Sequence, residues 1–221
     1  MKKLLPVILA FSFFSCVSTY YQVSEIRTNP AQMQSNNTYE DSAVKISYNF
    51  WSTGGVIKFT LYNKLNVPIY INWERSNFIL NGQSTEYTEN TTISIPQGGY
   101  LKTMALASAN GSEHFVSIAN KEQISSQLPP HSYISVNKFA LNEPYFDIGH
   151  FPKAYDSITY SAENSILHFR NYIGYTTDQN LSNLKFIDNE FWVGKITTMN
   201  GKYFDENHSV PNEYYSSFER D

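Results

Sequence analysis

Ala43-Val44-Lys45-Ile46-Ser47-Tyr48-Asn49-Phe50-Trp51 sets Val44, Ile46, Tyr48 and Phe50 on one side of an extended chain and Lys45, Ser47 and Asn49 on the other. Side chains of a strand point alternately to the two faces of a sheet, so this alternation predicts a strand with one buried and one wet face. Ser52-Thr53-Gly54-Gly55 then supplies turn residues. Ile57, Phe59 and Leu61 alternate with Lys58, Thr60 and Tyr62 beyond it, and the pair reads as a β-hairpin.

Working outward toward the C-terminus, Asn63-Lys64-Leu65-Asn66 reads as a second turn. Ile69-Tyr70-Ile71-Asn72-Trp73 reads as a third strand behind Pro68, a residue tolerated only at a strand start or edge. Phe78-Ile79-Leu80 runs into Asn81-Gly82, the dipeptide that best suits a two-residue hairpin, with Gln83 to Thr88 as the returning strand. Residues 43–88 therefore predict a meander of about five strands. Thr92 to Pro96 reads as a short strand, Glu122 to Gln127 as one helical turn, and Tyr133 to Phe139 as a strand introduced by Pro129-Pro130. Two more strands are expected at Ile166 to Tyr175 and Glu190 to Met199, with Gly194 marking a bulge or a close contact. Eight or nine short strands without long helical periods predict an all-β fold. The expectation is one antiparallel, immunoglobulin-like β-sandwich over residues 41–200, followed by an irregular C-terminal tail at 201–221.

Composition agrees. The chain holds 17 Tyr, 15 Phe and 3 Trp, residues that suit pleated, half-buried surface. Asn and Ser are abundant and favour turns. The same Tyr and Asn could instead build a surface that stacks on and hydrogen-bonds to sugars, but packing is the more economical reading. The formal net charge is −4 and no Lys/Arg cluster occurs, which argues against nucleic-acid binding.

The N-terminus carries a separate message. Met1-Lys2-Lys3 precedes an apolar run from Leu4 to Phe14, too short to span a bilayer and of the length of a secretory leader. Phe13-Phe14-Ser15-Cys16 resembles a bacterial lipobox, with Phe13 standing where Leu is usual. The resemblance implies that residues 1–15 are a signal peptide and that Cys16 becomes an acylated N-terminus; residues 16–40 read as a membrane tether, within which Val17 to Tyr21 could start a strand. Cys16 is the sole cysteine, so the fold contains no intramolecular disulfide. Loss of Lys2 and Lys3 with the leader takes the net charge to −6.

Ile46 to Trp51, Gly54-Gly55, Phe59 to Lys64, Pro68 to Trp73, Ser76 to Gly82 and Glu190-Phe191-Trp192-Val193 together resemble small uncharacterised lipoproteins of Bacteroides-type bacteria. The resemblance is confined mainly to the leader and residues 40–90. It implies an outer-membrane location and no particular activity. No acidic residues cluster behind Cys16, which within that family implies the periplasmic face. The early strands also look like the sandwich of late-embryogenesis-abundant-type proteins, a likeness of fold alone. Asp41-Ser42-Ala43 and Asp156-Ser157-Ile158 resemble the O-glycosylation tripeptide of such envelope proteins, which implies exposed, glycan-bearing Ser42 and Ser157.

Chemistry-bearing patterns are sparse. His114, His131, His150, His168 and His208 have no metal-ligand spacing, and no metal or cofactor is expected. Asp147 and His150, three apart, could be two ligands or an acid–base pair, but their Gly and aromatic neighbours suit a packed turn. Asp188, Glu190, Asp205 and Glu206 could supply paired carboxylates for glycoside hydrolysis. No G-x-S-x-G elbow and no phosphate-cradling glycine loop is present. The expectation is a non-catalytic binding or assembly module held to a membrane by its lipid, with an envelope protein or glycan as partner. The alternative is a hydrolase of envelope or dietary glycan. The candidate binding loop is Gln97 to Ser112, where Tyr100, Leu101 and Met104 could either meet a partner or fold back on the core.

Overall fold

The computed structural model describes residues 18–29, 33, 37–88, 124–141, 146 and 154–220. They form twelve strands and one short 3-10 turn: β1 (Ser18–Thr28), β2 (Thr38–Glu40), β3 (Val44–Asn49), β4 (Val56–Asn63), β5 (Ile69–Leu80), β6 (Gln83–Glu86), β7 (Ser125–Leu128), β8 (Tyr133–Ala140), β9 (Tyr155–Thr159), β10 (His168–Thr176), β11 (Lys185–Asn200), the turn Gly201–Tyr203, and β12 (Glu213–Arg220). An eight-stranded sheet runs β12-β1-β11-β10-β5-β6, with β7 also on β5 and β9 also on β11. A four-stranded sheet runs β2-β3-β4-β8. Every strand pairing is antiparallel. The expected all-β antiparallel sandwich is thus observed, and its likeness to the immunoglobulin domain is one of architecture.

The alternation at 44–50 and 57–61 does what the sequence promised. Val44, Ile46, Tyr48, Phe50, Ile57, Phe59 and Leu61 are all buried. Their rings meet the inner face of the large sheet edge-on. Phe50 lies 5.6 Å from Phe169 and 5.4 Å from Phe191, and Tyr48 lies 4.9 Å from Phe191. Such pairs add to the roughly 1.5–3 kcal/mol that burial of each ring supplies.

A buried polar relay fixes the two sheets against each other. The Tyr87 hydroxyl donates to Asn171 Oδ1 at 2.7 Å, Asn171 Nδ2 donates to the Tyr48 hydroxyl at 2.8 Å, and that hydroxyl donates to Asn189 Oδ1 at 2.9 Å. Asn171 and Asn189 face each other across β10 and β11, and both are fully buried. Removing the central hydroxyl strands groups on both sides of it. Tyr48→Phe is therefore expected to cost about 2–4 kcal/mol in chemical denaturation, well above an ordinary deleted hydrogen bond. A loss under 1 kcal/mol would show that the relay contributes little.

Several expectations need correcting. The five-strand meander is divided between the sheets: β3 and β4 lie in the small one, β5 and β6 in the large one. The chain crosses over at residues 64–68, where the buried Asn63 amide donates to the carbonyls of Val67, Leu128 and Pro129. Ile69–Trp73 and Phe78–Leu80 are one strand, not two. Its register against β10 breaks between Tyr172 and Gly174. There Ser76 Oγ donates to the Asn72 carbonyl and accepts from Gly174 N, so the polar stretch between the two expected strands stays within the sheet. Within the supposed helical turn at 122–127, residues 125–127 belong instead to strand β7, whose Ser126 accepts from the indole of Trp73. β9 was not expected at all.

Both domain boundaries also move. Residues 18–28 of the expected tether form β1, an interior strand between β11 and β12. Within the expected tail, β12 pairs with β1 along its whole length, and Tyr214 is fully buried. The other edge of β12 meets the turn of the β3–β4 hairpin: Gly54 N donates to Tyr215 O, and Tyr215 N to Ser52 O. Gly194 is both things proposed for it. It is skipped between the pairs Glu25–Lys195 and Ile26–Val193, and a Cβ there would lie 2.2 Å from Arg27 Cδ.

Gly55 is held more tightly. Its φ is +66°, and a Cβ would lie 2.7 Å from Tyr214 Cγ and 3.1 Å from Leu141 Cδ1. Left-handed strain and displacement of a buried ring act together, so Gly55→Ala should cost about 2–3 kcal/mol by denaturant titration.

Candidate binding surface

The outward side chains of the small sheet line up in rows set by its register. One row is Thr38, which is buried at the sheet's edge, followed by Ser47, Thr60 and Ser135. Adjacent hydroxyls touch at 3.2 Å between Thr38 and Ser47 and at 3.3 Å between Thr60 and Ser135. The row on one side is Asn49, Lys58 and Asn137, and that on the other is Glu40, Lys45, Tyr62 and Tyr133. A depression of about 320 Å³ opens over Ser47, Asn49, Lys58, Thr60, Ser135 and Asn137. No carboxylate lines it. Glu40, at the margin, is paired with Lys64 at 2.7 Å, which holds its carboxyl below the usual range. Tyr133, 67% exposed, presents an aromatic face at the end of the surface. Chemically this is a shallow plate of hydroxyl and amide groups with an aromatic edge.

A second cavity, about 190 Å³, lies where the sheets meet near the β10–β11 turn. It is lined by Ala43, Leu65, Tyr175, Thr176, Thr177, Asp178, Asn183 and Lys185. Asp41 stands beside it as a structural cap. Its carboxylate accepts from Ala43 N at 2.7 Å, Val44 N at 2.8 Å, the Tyr39 hydroxyl at 3.4 Å and the Tyr175 hydroxyl at 3.2 Å. Burial, reinforced by this neighbouring carboxylate, pushes both phenols up.

The sequence-derived candidates fall as follows. Cys16, the leader, Thr92 to Pro96, His114, Asp147, His150 and the loop residues Tyr100, Leu101 and Met104 lie outside the described residues. Asp188 and Glu190 both flank Arg170, with Arg170 Nε 3.1 Å from Asp188 Oδ1 and 3.2 Å from Glu190 Oε1. The hydrogen bond to Asp188 raises the guanidinium further above its ordinary value. Asp205 caps a turn by accepting from Asn207 N at 3.0 Å, while Glu206 accepts from the Tyr215 hydroxyl at 2.7 Å. Arg170 thus joins Asp188 and Glu190 in one ion-pair cluster, while Asp205 and Glu206 serve two separate contacts. His131 bonds Asn66 at 2.8 Å, and no group of three possible metal ligands occurs among the described residues. Ser42 and Ser157 are both exposed, Ser157 within β9 beside Thr197. No helix among the described residues is long and apolar enough to cross a membrane.

The plate itself was half legible. Ser47, Asn49, Lys58 and Thr60 were readable as a wet face, but Ser135 and Asn137 join them only through the β4–β8 pairing. No family model, curated protein or solved structure matches the chain.

Proposed function

We propose that this chain is a lipid-anchored, non-catalytic binding module of a bacterial envelope, and that the outer face of its small sheet recognises a neutral glycan. The reading rests above all on the hydroxyl and amide rows of that face. Sugars offer closely spaced donors and acceptors, and a plate of Ser, Thr and Asn can exchange hydrogen bonds with them while an aromatic edge covers the ring face. Lys58 is the one charged side chain of the depression, and the hydroxyls and amides around it suit uncharged donors and acceptors. The acidic residues considered for hydrolysis are engaged in an ion-pair cluster, a turn cap and a tyrosine contact, so the binding reading uses the geometry better than a hydrolase would. The leader ending in Ser15-Cys16 supports the anchor, and the family resemblance supports the periplasmic face of the outer membrane.

Affinity electrophoresis of the protein in gels containing neutral polysaccharides tests the proposal. Retardation is expected, and Tyr133→Ala or Asn137→Ala should weaken it by about tenfold, the equivalent of roughly 1.4 kcal/mol. Both sites are exposed, and surface changes of this kind usually alter stability by less than about 0.5 kcal/mol. Retardation untouched by both substitutions would remove the plate from the binding site, and shortening of the polysaccharide would favour the hydrolase.

A further inference from the structure

We propose that the end of the sandwich carrying Ser18 rests directly on the lipid surface, with Tyr155 and Tyr203 seated in the headgroup layer. This rests on acylation of Cys16 as proposed above, and adds the orientation of the domain. Ser18 already belongs to β1, paired with Arg220 of β12. Only Val17 stands between it and Cys16, and two residue steps span at most about 7 Å. A chain acylated at Cys16 therefore has no room for a free tether, and this end of the sheet must lie close to the bilayer.

The side chains at that end fit such a neighbour. Tyr155 is 70% exposed and Tyr203 51% exposed, both among the most open large side chains described. Tyr155 opens β9 opposite Met199, which in turn pairs with Tyr21 of β1. Tyr203 belongs to the 3-10 turn directly after Asn200, the partner of Tyr20. Lys202 Nζ lies 4.7 Å over the Tyr203 ring. Tyrosines with a wet hydroxyl and an apolar body are suited to a membrane–water interface, and a neighbouring lysine can carry its charge to the headgroups. Behind them Tyr20 and Phe218 stack at 5.7 Å across β1 and β12.

The opposite end is far away. β11 runs sixteen residues from Lys185 to Asn200, a rise of roughly 50 Å. Tyr133 belongs to that distal end: it pairs with Tyr62, next to Asn63 and the crossover. An upright domain holds the Tyr133 end of its plate and the 190 Å³ cavity away from the bilayer.

The test uses the full chain, processed in a lipoprotein-competent host and reconstituted in phosphatidylcholine–phosphatidylglycerol vesicles. Hydroxyl-radical footprinting with mass spectrometry reads each tyrosine, and the Cys16→Ala chain mixed with the same vesicles is the reference. Oxidation of Tyr155 and Tyr203 should fall at least about fivefold, as for groups entering the interface, while Tyr133 stays unchanged. Equal oxidation of Tyr155 and Tyr203 in the acylated and reference chains overturns the orientation while leaving the anchor intact. An N-terminal peptide of unmodified mass overturns the anchor, and the orientation with it.

Discussion

A chain ending at residue 212 is expected not to fold. The segment it lacks, β12, pairs with β1 from Ser18–Arg220 through Glu25–Glu213. Its loss would empty the site of Tyr214, which is wholly buried, and of Tyr215, which is nearly so. Truncation of one large buried aromatic alone costs about 3–5 kcal/mol. The truncation also uncovers the backbone of β1 and removes the bonds joining Tyr215 to Ser52 and Gly54, so the small sheet loses its tie to the edge of the large one. A bared interior strand is in addition a template for aggregation. The combined loss exceeds about 5 kcal/mol, comparable to the entire stability of an ordinary domain. Far-UV circular dichroism and limited proteolysis of the 1–212 chain provide the measurement. A cooperative melt at the temperature of the full chain would show β12 to be dispensable.

The sequence of that segment carries no local sign of a strand. Apolar periodicity exposes a strand only when its inward side chains are apolar. In β1 the inward positions include Gln22 and Ser24, in β11 Thr198, and in β12 Ser216, all buried and polar. Gln22 is satisfied by Thr198 Oγ1 at 3.1 Å and by both the carbonyl and the amide of Phe146. A polar layer of this kind depends on partners more than a hundred residues away, and its alternation cannot be seen locally. By contrast, the Val44–Phe50 alternation, Gly194 and the Asn81-Gly82 turn were legible, because each is decided within a few residues. Asn81 and Gly82 both adopt positive φ, 47° and 84°, as that turn demands. The division of the meander between two sheets was not legible: alternation identifies a strand and its wet face, and is silent on which neighbour it pairs with. The same limit applies to the glycan plate, half of which arrives through β8.

High pH should unfold the protein in a steep, cooperative step that begins near pH 10. Tyr48, Tyr87, Tyr175 and Tyr214 are buried, and burial pushes each phenol well above its ordinary value. The folded chain therefore keeps these protons where the unfolded chain releases them. Stability from this source is complete below about pH 10 and declines as pH rises toward the folded values. Each such group removes about 1.4 kcal/mol per pH unit once the unfolded phenol ionises, so four remove roughly 5.5 kcal/mol per unit. Two units would exhaust the stability of many domains of this size. Exposed tyrosines will ionise gradually around pH 10, so tyrosinate absorbance at 295 nm should show a smooth phase and then a sharp one. The sharp phase should coincide with loss of the β-sheet signal in circular dichroism. In Tyr48→Phe one of the four phenols is gone, and the slope of stability against pH should fall to about three quarters of its original value, even though that variant starts from a lower stability. Smooth ionisation of all 17 tyrosines with the sheet signal intact at pH 12 would mean that the buried phenols reach solvent without unfolding, and would refute this account of the core.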